Sequence, residues 1–358
     1  MTIGCSNLRL SPMAGFTNAP MRAISLRFGA SAVYTEMAGV EGLVHDHSRL
    51  TWQLLETLPE EQGRVFAHLY GREPEHFARA AEMVAATGRF AGIDINAGCP
   101  VPKVTCWGAG SALMREPERV REIVAAASKA SGLPVSVKTR LGFGEGEITA
   151  FDILHAVEDG GGSALAIHAR FKPQGHSGPV SLDLVRRLRE EASIPVFGNG
   201  GVNDAVSAER FAAETGVAGL LVGQAAIGHP WVFREIVEGH SFAQGAGHSA
   251  YLSLDEIRRV WIEHLELERR FAETIAEKFP DCCVELTPDE VAAIRFRVHL
   301  FRYGAGLRGA GYMRGRMATL HSVADCVKAL DGCLECERRY RARRPRGNDG
   351  DMLESSRV

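Results

Sequence analysis

The chain has 358 residues, 45% of them hydrophobic, and a formal charge of −3, enough apolar material to bury one full core and a second, smaller domain. It reads as globular, and because no apolar run is long enough to span a bilayer, no membrane partner is expected. The opening MTIGCSNLRLSPMAG lacks the basic stretch and apolar core of a signal peptide, which makes the cytosol the expected compartment.

From residue 8 to about 226, short β-rich apolar runs alternate with longer stretches whose apolar residues recur at helical spacing. The runs are LRLSPMA (8–14), AVYTEM (32–37), VFAHLYG (65–71), GIDINAG (92–98), VSVKTR (135–140), ALAIHAR (164–170), PVFGNGG (195–201) and GLLVGQAA (219–226). Between them PEHFARAAEMVAATG, PERVREIVAAASKASG and SLDLVRRLREEAS predict helices opened by Pro or Ser. Eight β/α units predict a closed parallel (β/α)8 barrel, a TIM barrel, because strands buried on both faces read as continuous apolar runs. A doubly wound open sheet is the alternative, and it would not need eight units. The barrel is placed at 1–240. After the glycine-rich GHSFAQGAGHS (239–249), the segments 254–279 and 288–307 predict a helical second domain at 250–346, with 347–358 as a disordered tail.

The net charge does not suggest a nucleic-acid binder, but it hides an asymmetry. Residues 285–346 carry 13 Lys and Arg against 7 Asp and Glu, while 1–284 carries −7. That sign difference fits a lobe that handles a polyanion; solvated helix faces are the plainer explanation.

Each run is apolar at its start and ends in residues capable of chemistry: Met13, Glu36, His68, Asn96, Lys138 and Arg140, His168 and Arg170, Asn199, Gln224. In a barrel these ends converge on the face where active sites lie, so an enzyme is expected rather than a binding scaffold. Glycines in NGG (199–201) and VGQAAIGHPW (222–231), with a short helix beginning near Ile227 or Gly228, make a phosphate site after strands 7 and 8, and FMN is the first candidate ligand. Lys138 and Arg140 alternate on one strand and both can face the mouth. A lysine there would set positive charge beside the N1–C2=O end of a flavin. Cys99, in the loop after the fourth run, lies outside the apolar stretch where a structural thiol belongs and reads as a functional thiol; Cys106 reads as a bystander.

These residues resemble the tRNA-dihydrouridine synthase family. The resemblance rests on SPMAGFTNAPMR (11–22), TEM (35–37), DINAGCPVPKV (94–104), GAGSALM (108–114), VKTRLGF (137–143), IHAR (167–170), QGHSG (174–178), GNGGV (198–202), GQAAIGHPWVF (223–233) and RVHLFRYGAGLRGA (297–310). It implies an FMN-dependent barrel with a helical RNA-binding domain, in which NADPH reduces FMN, flavin N5 passes hydride to uracil C6, and Cys99 protonates C5. By the same resemblance Asn96, Arg140 and Arg170 face the uracil. Met13, His68, Lys138, His168, Asn199, Gly200, Gly201, Gly223 and Gln224 hold FMN. The implied partner is RNA, most simply tRNA, and a monomer is expected. The chain departs from the family pattern where His68 replaces a glutamine at the flavin ring, where Gln224 replaces an arginine at the phosphate, and where ARF follows the barrel histidine in place of G-R-T.

Outside that pattern, Cys282, Cys283, Cys326, Cys333 and Cys336 put five of the eight cysteines in the second domain. The C-x-x-C spacing of CLEC (333–336) lets two thiolates share one ion, so a zinc or iron–sulfur site is a candidate and small buried thiols are the alternative. Two other functions compete with RNA-uracil reduction: a flavin enzyme acting on another RNA, a small unsaturated carbonyl or a pyrimidine, and a non-catalytic RNA-binding barrel. The basic RVHLFRYGAGLRGAGYMRGR argues against the small substrate, and intact Cys99, Lys138 and His168 argue against a retired site.

Overall fold

The computed structural model of the protein describes residues 7–45, 49–240, 251–280 and 285–343. Its sheet closes through β1 (Leu8–Leu10), β2 (Ala32–Tyr34), β4 (Val65–Tyr70), β5 (Gly92–Asn96), β6 (Val135–Arg140), β7 (Ala164–His168), β8 (Val196–Asn199) and β9 (Gly219–Val222). Every neighbouring pair is parallel, and β9 returns to β1, pairing Leu8 with Leu220. This is the eight-stranded (β/α)8 barrel that the spacing of the runs predicts. One element is additional: β3 (Ala38–Gly39) pairs Ala38 with Leu69 at the far end of β4. Thr35 separates it from β2 by turning its hydroxyl to accept from the His68 amide at 2.9 Å, which diverts the ladder for three residues.

The helices begin where the sequence punctuates them. Pro74–Ala86, Pro117–Ser131 and Pro288–Tyr303 each open on proline, whose fixed φ suits the first helical turn. Asn18, whose side chain accepts from the Met21 amide, caps Ala19–Arg27. That helix is fastened by a fully buried ion pair between Arg22 and Glu61, with Arg22 also donating to the Thr17 carbonyl at 2.7 Å and the Glu56 carbonyl at 2.8 Å. Burial pushes the Glu61 carboxyl up while the guanidinium opposes it. Removing either partner would strand a buried charge at a cost of about 3–5 kcal/mol.

Inside the barrel the period-2 alternation of β-structure sorts side chains by height. Tyr34, Phe66, Ala164, Ala166, Phe197 and Leu221 form the apolar floor, with the Arg9 guanidinium lying 3.7 Å from the Phe197 ring centroid. Polar residues stand above it. Gly198 is a packing glycine: a Cβ there would stand 2.2 Å from Phe211 Cε1.

Contacts divide the described residues into two units. One holds 7–240 with 273–280 and 285; the other holds 251–272 and 286–343. The second unit is helical, from Leu254–Lys278, Pro288–Tyr303, Ala310–Arg316 and Val323–Ala342, although the end of the first of these helices groups with the barrel, where Lys278 pairs with Glu56 at 2.8 Å. Gly309 lets Ala310–Arg316 come against the last helix, since a Cβ would meet the Cys333 Cα at 2.5 Å. The tail at 347–358, Cys282 and Cys283 lie outside the described residues.

Candidate active site at the carboxyl ends of the strands

Strand register builds the site in rows. His68, Asp94 and Ser136 are direct partners across β4, β5 and β6, and Arg140, His168 and Asn199 are partners across β6, β7 and β8. Asn96 stands opposite Lys138. All of these side chains belong to the inward-facing set of their strands, so the register alone fixes which groups meet.

The first row forms a chain of hydrogen bonds that ends under Cys99. Asp94 Oδ1 accepts from the Ser136 hydroxyl at 2.5 Å and Oδ2 from His68 Nδ1 at 2.7 Å, all three residues being buried. With its proton on Nδ1, His68 has a bare Nε2, which accepts from Asn96 Nδ2 at 3.1 Å. That bond fixes the Asn96 amide the other way up, so that its oxygen faces the loop and accepts from the Gly98 amide at 3.1 Å and the Cys99 amide at 3.0 Å. The Cys99 carbonyl accepts from Ser111 at 3.0 Å. Gly110 closes the loop tightly, since a Cβ would stand 2.8 Å from the Cys99 carbonyl oxygen. Cys99 is a free, half-buried thiol on a backbone held from both sides. Cys106 is exposed, with its sulfur 3.7 Å from the Lys103 carbonyl.

The second row concentrates positive charge. Lys138 Nζ donates to Asn199 Oδ1 at 3.0 Å, and Asn199 Nδ2 donates to the Leu221 carbonyl at 2.9 Å. Burial, helped by Arg140, lowers the Lys138 ammonium to about 8. Arg140 donates to the carbonyls of Gly98 at 2.9 Å and Gly175 at 2.8 Å, tying the Cys99 loop to the loop after β7, and burial lowers it to about 10. His168 is driven well below its ordinary range by burial and by Lys138, Arg140 and Arg170 together, so it is neutral. Its Nε2 faces Arg170 Nη1 at 3.3 Å and accepts from it, which leaves Nδ1–H as the donor. Burial also lowers Arg170, whose Nε donates to the Gly178 carbonyl at 3.0 Å. Cations that weaken one another in a buried mouth make a place that an anionic ligand stabilises.

Two glycines line that place because nothing larger fits. Gly200 has φ +98, and a Cβ on it would meet His168 Cδ2 at 2.5 Å; Gly201 has φ +74. A Cβ on Gly223 would lie 3.7 Å from Met13 Sδ, so Met13 and Gly223 flank one spot. The expected helix near Ile227 or Gly228 is corrected: a 3₁₀ turn spans Gln224–Ala226 and the next helix is Val232–Glu238. Gly228 at φ +69 and Pro230 stop a helix from starting where it was expected. Gln224 itself is exposed at the start of the turn.

Asp94, Ser136 and His176, which stacks on His168 at 5.7 Å, belong to the site and were not singled out from sequence. The alternation of Asp94 with Asn96, and of Ser136 with Lys138, was the available signal. The cysteine cluster separates along one helix. Cys326 and Cys333 are buried on Val323–Ala342, seven positions and roughly 10 Å of axis apart, too far to share an ion. Burial pushes both thiols up to about 12. Among the described residues only Cys333 and the exposed Cys336 stand one turn apart.

The model of the family described as dihydrouridine synthase (Dus) matches residues 9–274. The chain is 35% identical over 261 residues to "tRNA-dihydrouridine synthase B" of Pseudomonas putida, covering 73% of this chain and 75% of that protein. It is 34% identical over 343 residues to "Probable tRNA-dihydrouridine synthase" of Treponema pallidum, covering 92% and 94%. The structure of histamine dehydrogenase from Rhizobium sp. 4-9 superposes with a TM-score of 0.50 at 14% identity, over 73% of this chain and 49% of that one, a likeness of fold.

Proposed function

Because the chain belongs to the dihydrouridine synthase family, we propose that it reduces uridine to 5,6-dihydrouridine in tRNA, with FMN as its cofactor and NADPH as the reductant. The observation that carries the reading is the joining of two arrangements in one barrel mouth: a cationic row above glycines that admit no side chain, and a free thiol on a braced loop.

The residues present fit FMN. Lys138, Asn199 and neutral His168 would hold the ring, Met13 and Gly223 would flank it, and Gly200, Gly201 and the turn at Gln224 would take the phosphate. When bound, FMN supplies the hydride for uracil C6. The chain supplies the rest. Cys99 Sγ–H carries the proton that C5 takes, so hydride and proton together saturate the C5=C6 bond and leave a thiolate to be reprotonated from solvent. Asn96 and Arg140 keep the Cys99 loop at one height, and Asn96 and Arg170 stand where a uracil flipped out of its stack would be received.

The helical unit would hold the RNA backbone. Arg308 lies over Tyr340 at 4.4 Å and Arg316 over Tyr312 at 4.6 Å, cations backed by aromatic faces of the kind that grip phosphates and stacked bases. Under the same reading the enzyme works in the cytoplasm as a monomer. The test supplies FMN-loaded protein with NADPH and an unmodified tRNA transcript and measures dihydrouridine by mass spectrometry of the nucleosides. Dihydrouridine above the no-enzyme control is expected; its absence across a panel of transcripts, with flavin bound and reducible, would overturn the reading.

A further inference from the structure

The helical unit contains a polar cluster that the barrel chemistry does not use. His264 and Glu268 sit one turn apart on Leu254–Lys278, and His299 faces them from Pro288–Tyr303. All three are essentially fully buried. One ring nitrogen from each histidine and one oxygen of Glu268 lie within 4.8 Å of one another.

The arrangement has the parts of a metal site. His264 Nδ1 is engaged with the Tyr303 hydroxyl at 3.0 Å, so its Nε2 is the nitrogen aimed into the cluster. That Nε2 is buried and makes no hydrogen bond. It lies 3.8 Å from Glu268 Oε1, too long for a hydrogen bond, whereas two ligands each about 2.0–2.2 Å from one ion stand up to about 4 Å apart. Around a tetrahedral ion that separation is about 3.4 Å, so the loosest pair would need to close by up to about 1.4 Å. The Tyr303 hydroxyl then takes the place of the outer partner that fixes the tautomer of a ligating imidazole. The rings of Phe296 and Tyr303 pack on His264, with Trp261 against Tyr303, an aromatic wall beside the cluster.

We infer that His264, Glu268 and His299 form a site for one divalent ion with the nitrogen and oxygen preference of zinc, a staple joining helices Leu254–Lys278 and Pro288–Tyr303. Two neutral nitrogens and one carboxylate leave the ion a single net positive charge. The site is separate from the cysteines, whose soft thiolates would prefer the same metal by a different donor set.

The full-length protein is stripped with a chelator, and zinc uptake is followed by calorimetry and by metal analysis after gel filtration. One equivalent per chain is expected, with affinity at least tenfold weaker in Glu268→Gln, about tenfold or more weaker in Tyr303→Phe, and unchanged in Cys336→Ser. Tyr303→Phe separates metal binding from packing, because it keeps the ring and removes only the hydroxyl that orients His264. Should the substituted proteins fail to fold, cobalt replaces zinc in the wild type: a visible spectrum of nitrogen and oxygen ligation without thiolate charge-transfer bands supports the site. No uptake by the wild type, loss of the ion in Cys336→Ser, or thiolate bands with cobalt would each overturn it.

Discussion

Two buried histidines of this protein, His68 and His264, differ in one respect. In the barrel, both ring nitrogens of His68 are engaged by the chain itself, Nδ1 by Asp94 and Nε2 by Asn96. In the helical unit, His264 has Tyr303 on one nitrogen and no hydrogen bond on the other. A network completed within the protein transmits orientation; here it runs from a carboxylate through an imidazole and an amide to the backbone of Cys99. A network that stops at a bare, buried nitrogen asks for something from outside. The difference shows why a buried histidine has to be read by both of its nitrogens before it is given a role.

The barrel's chain of hydrogen bonds can be cut at several points. The largest effect is expected at the end of the barrel chain: Cys99→Ala should lower dihydrouridine formation by about 10²–10⁴-fold, the range for a positioned proton donor, while the bound flavin absorbance is kept. Asp94→Asn comes next. Without the carboxylate His68 no longer has to carry its proton on Nδ1, and the loss of about 1.5–3 kcal/mol of charge-assisted orientation corresponds to roughly ten- to hundredfold in turnover. An Asp94→Asn enzyme as fast as wild type would show that the loop is held by Ser111 and Arg140 alone.

Lys138 gives a pH signature. Its ammonium falls from 10.5 to about 8 on folding, so between those values the unfolded chain binds the proton and the folded chain does not. Stability of the flavin-free protein should therefore rise with pH across that window, by about 3 kcal/mol at 1.36 kcal/mol per unit. Urea midpoints measured from pH 7 to 10.5 should show a contribution from this group that Lys138→Met removes. The smallest effects separate two cysteines. Cys333→Ser buries a hydroxyl and should cost about 1–3 kcal/mol, whereas Cys336→Ser, at the surface, should stay within about 0.5 kcal/mol. Equal losses at both positions would point to an ion shared by the pair.

The barrel was legible because its strands are continuous apolar runs and its helices open on proline, signals that survive without tertiary context. β3 was not, because two residues carry no period. Cys99, Lys138 and His168 stood out by lying at the ends of runs. Asp94 did not, although it is two residues before Asn96, because its meaning comes from standing opposite His68 and Ser136 in register, and single-sequence periodicity does not give register. His264 and Glu268 carry an i, i+4 spacing that a reading of the helix could have found, but His299 joins them only through packing between helices. Cys326 does not share an ion with Cys333 for a geometric reason, since one helix holds them two turns apart.

The bracing of the Cys99 loop from below depends on His68 holding its proton on Nδ1. It is tested most directly by ¹⁵N spectra of the histidine side chains in the full-length protein at neutral pH, before and after addition of zinc. The expected result is a protonated Nδ1 and a bare Nε2 on His68 that zinc leaves unchanged, together with a zinc-dependent shift at His264 Nε2. A His68 carrying its proton on Nε2, or doubly protonated, would contradict it, because Asn96 would then have to turn its amide over and release Cys99.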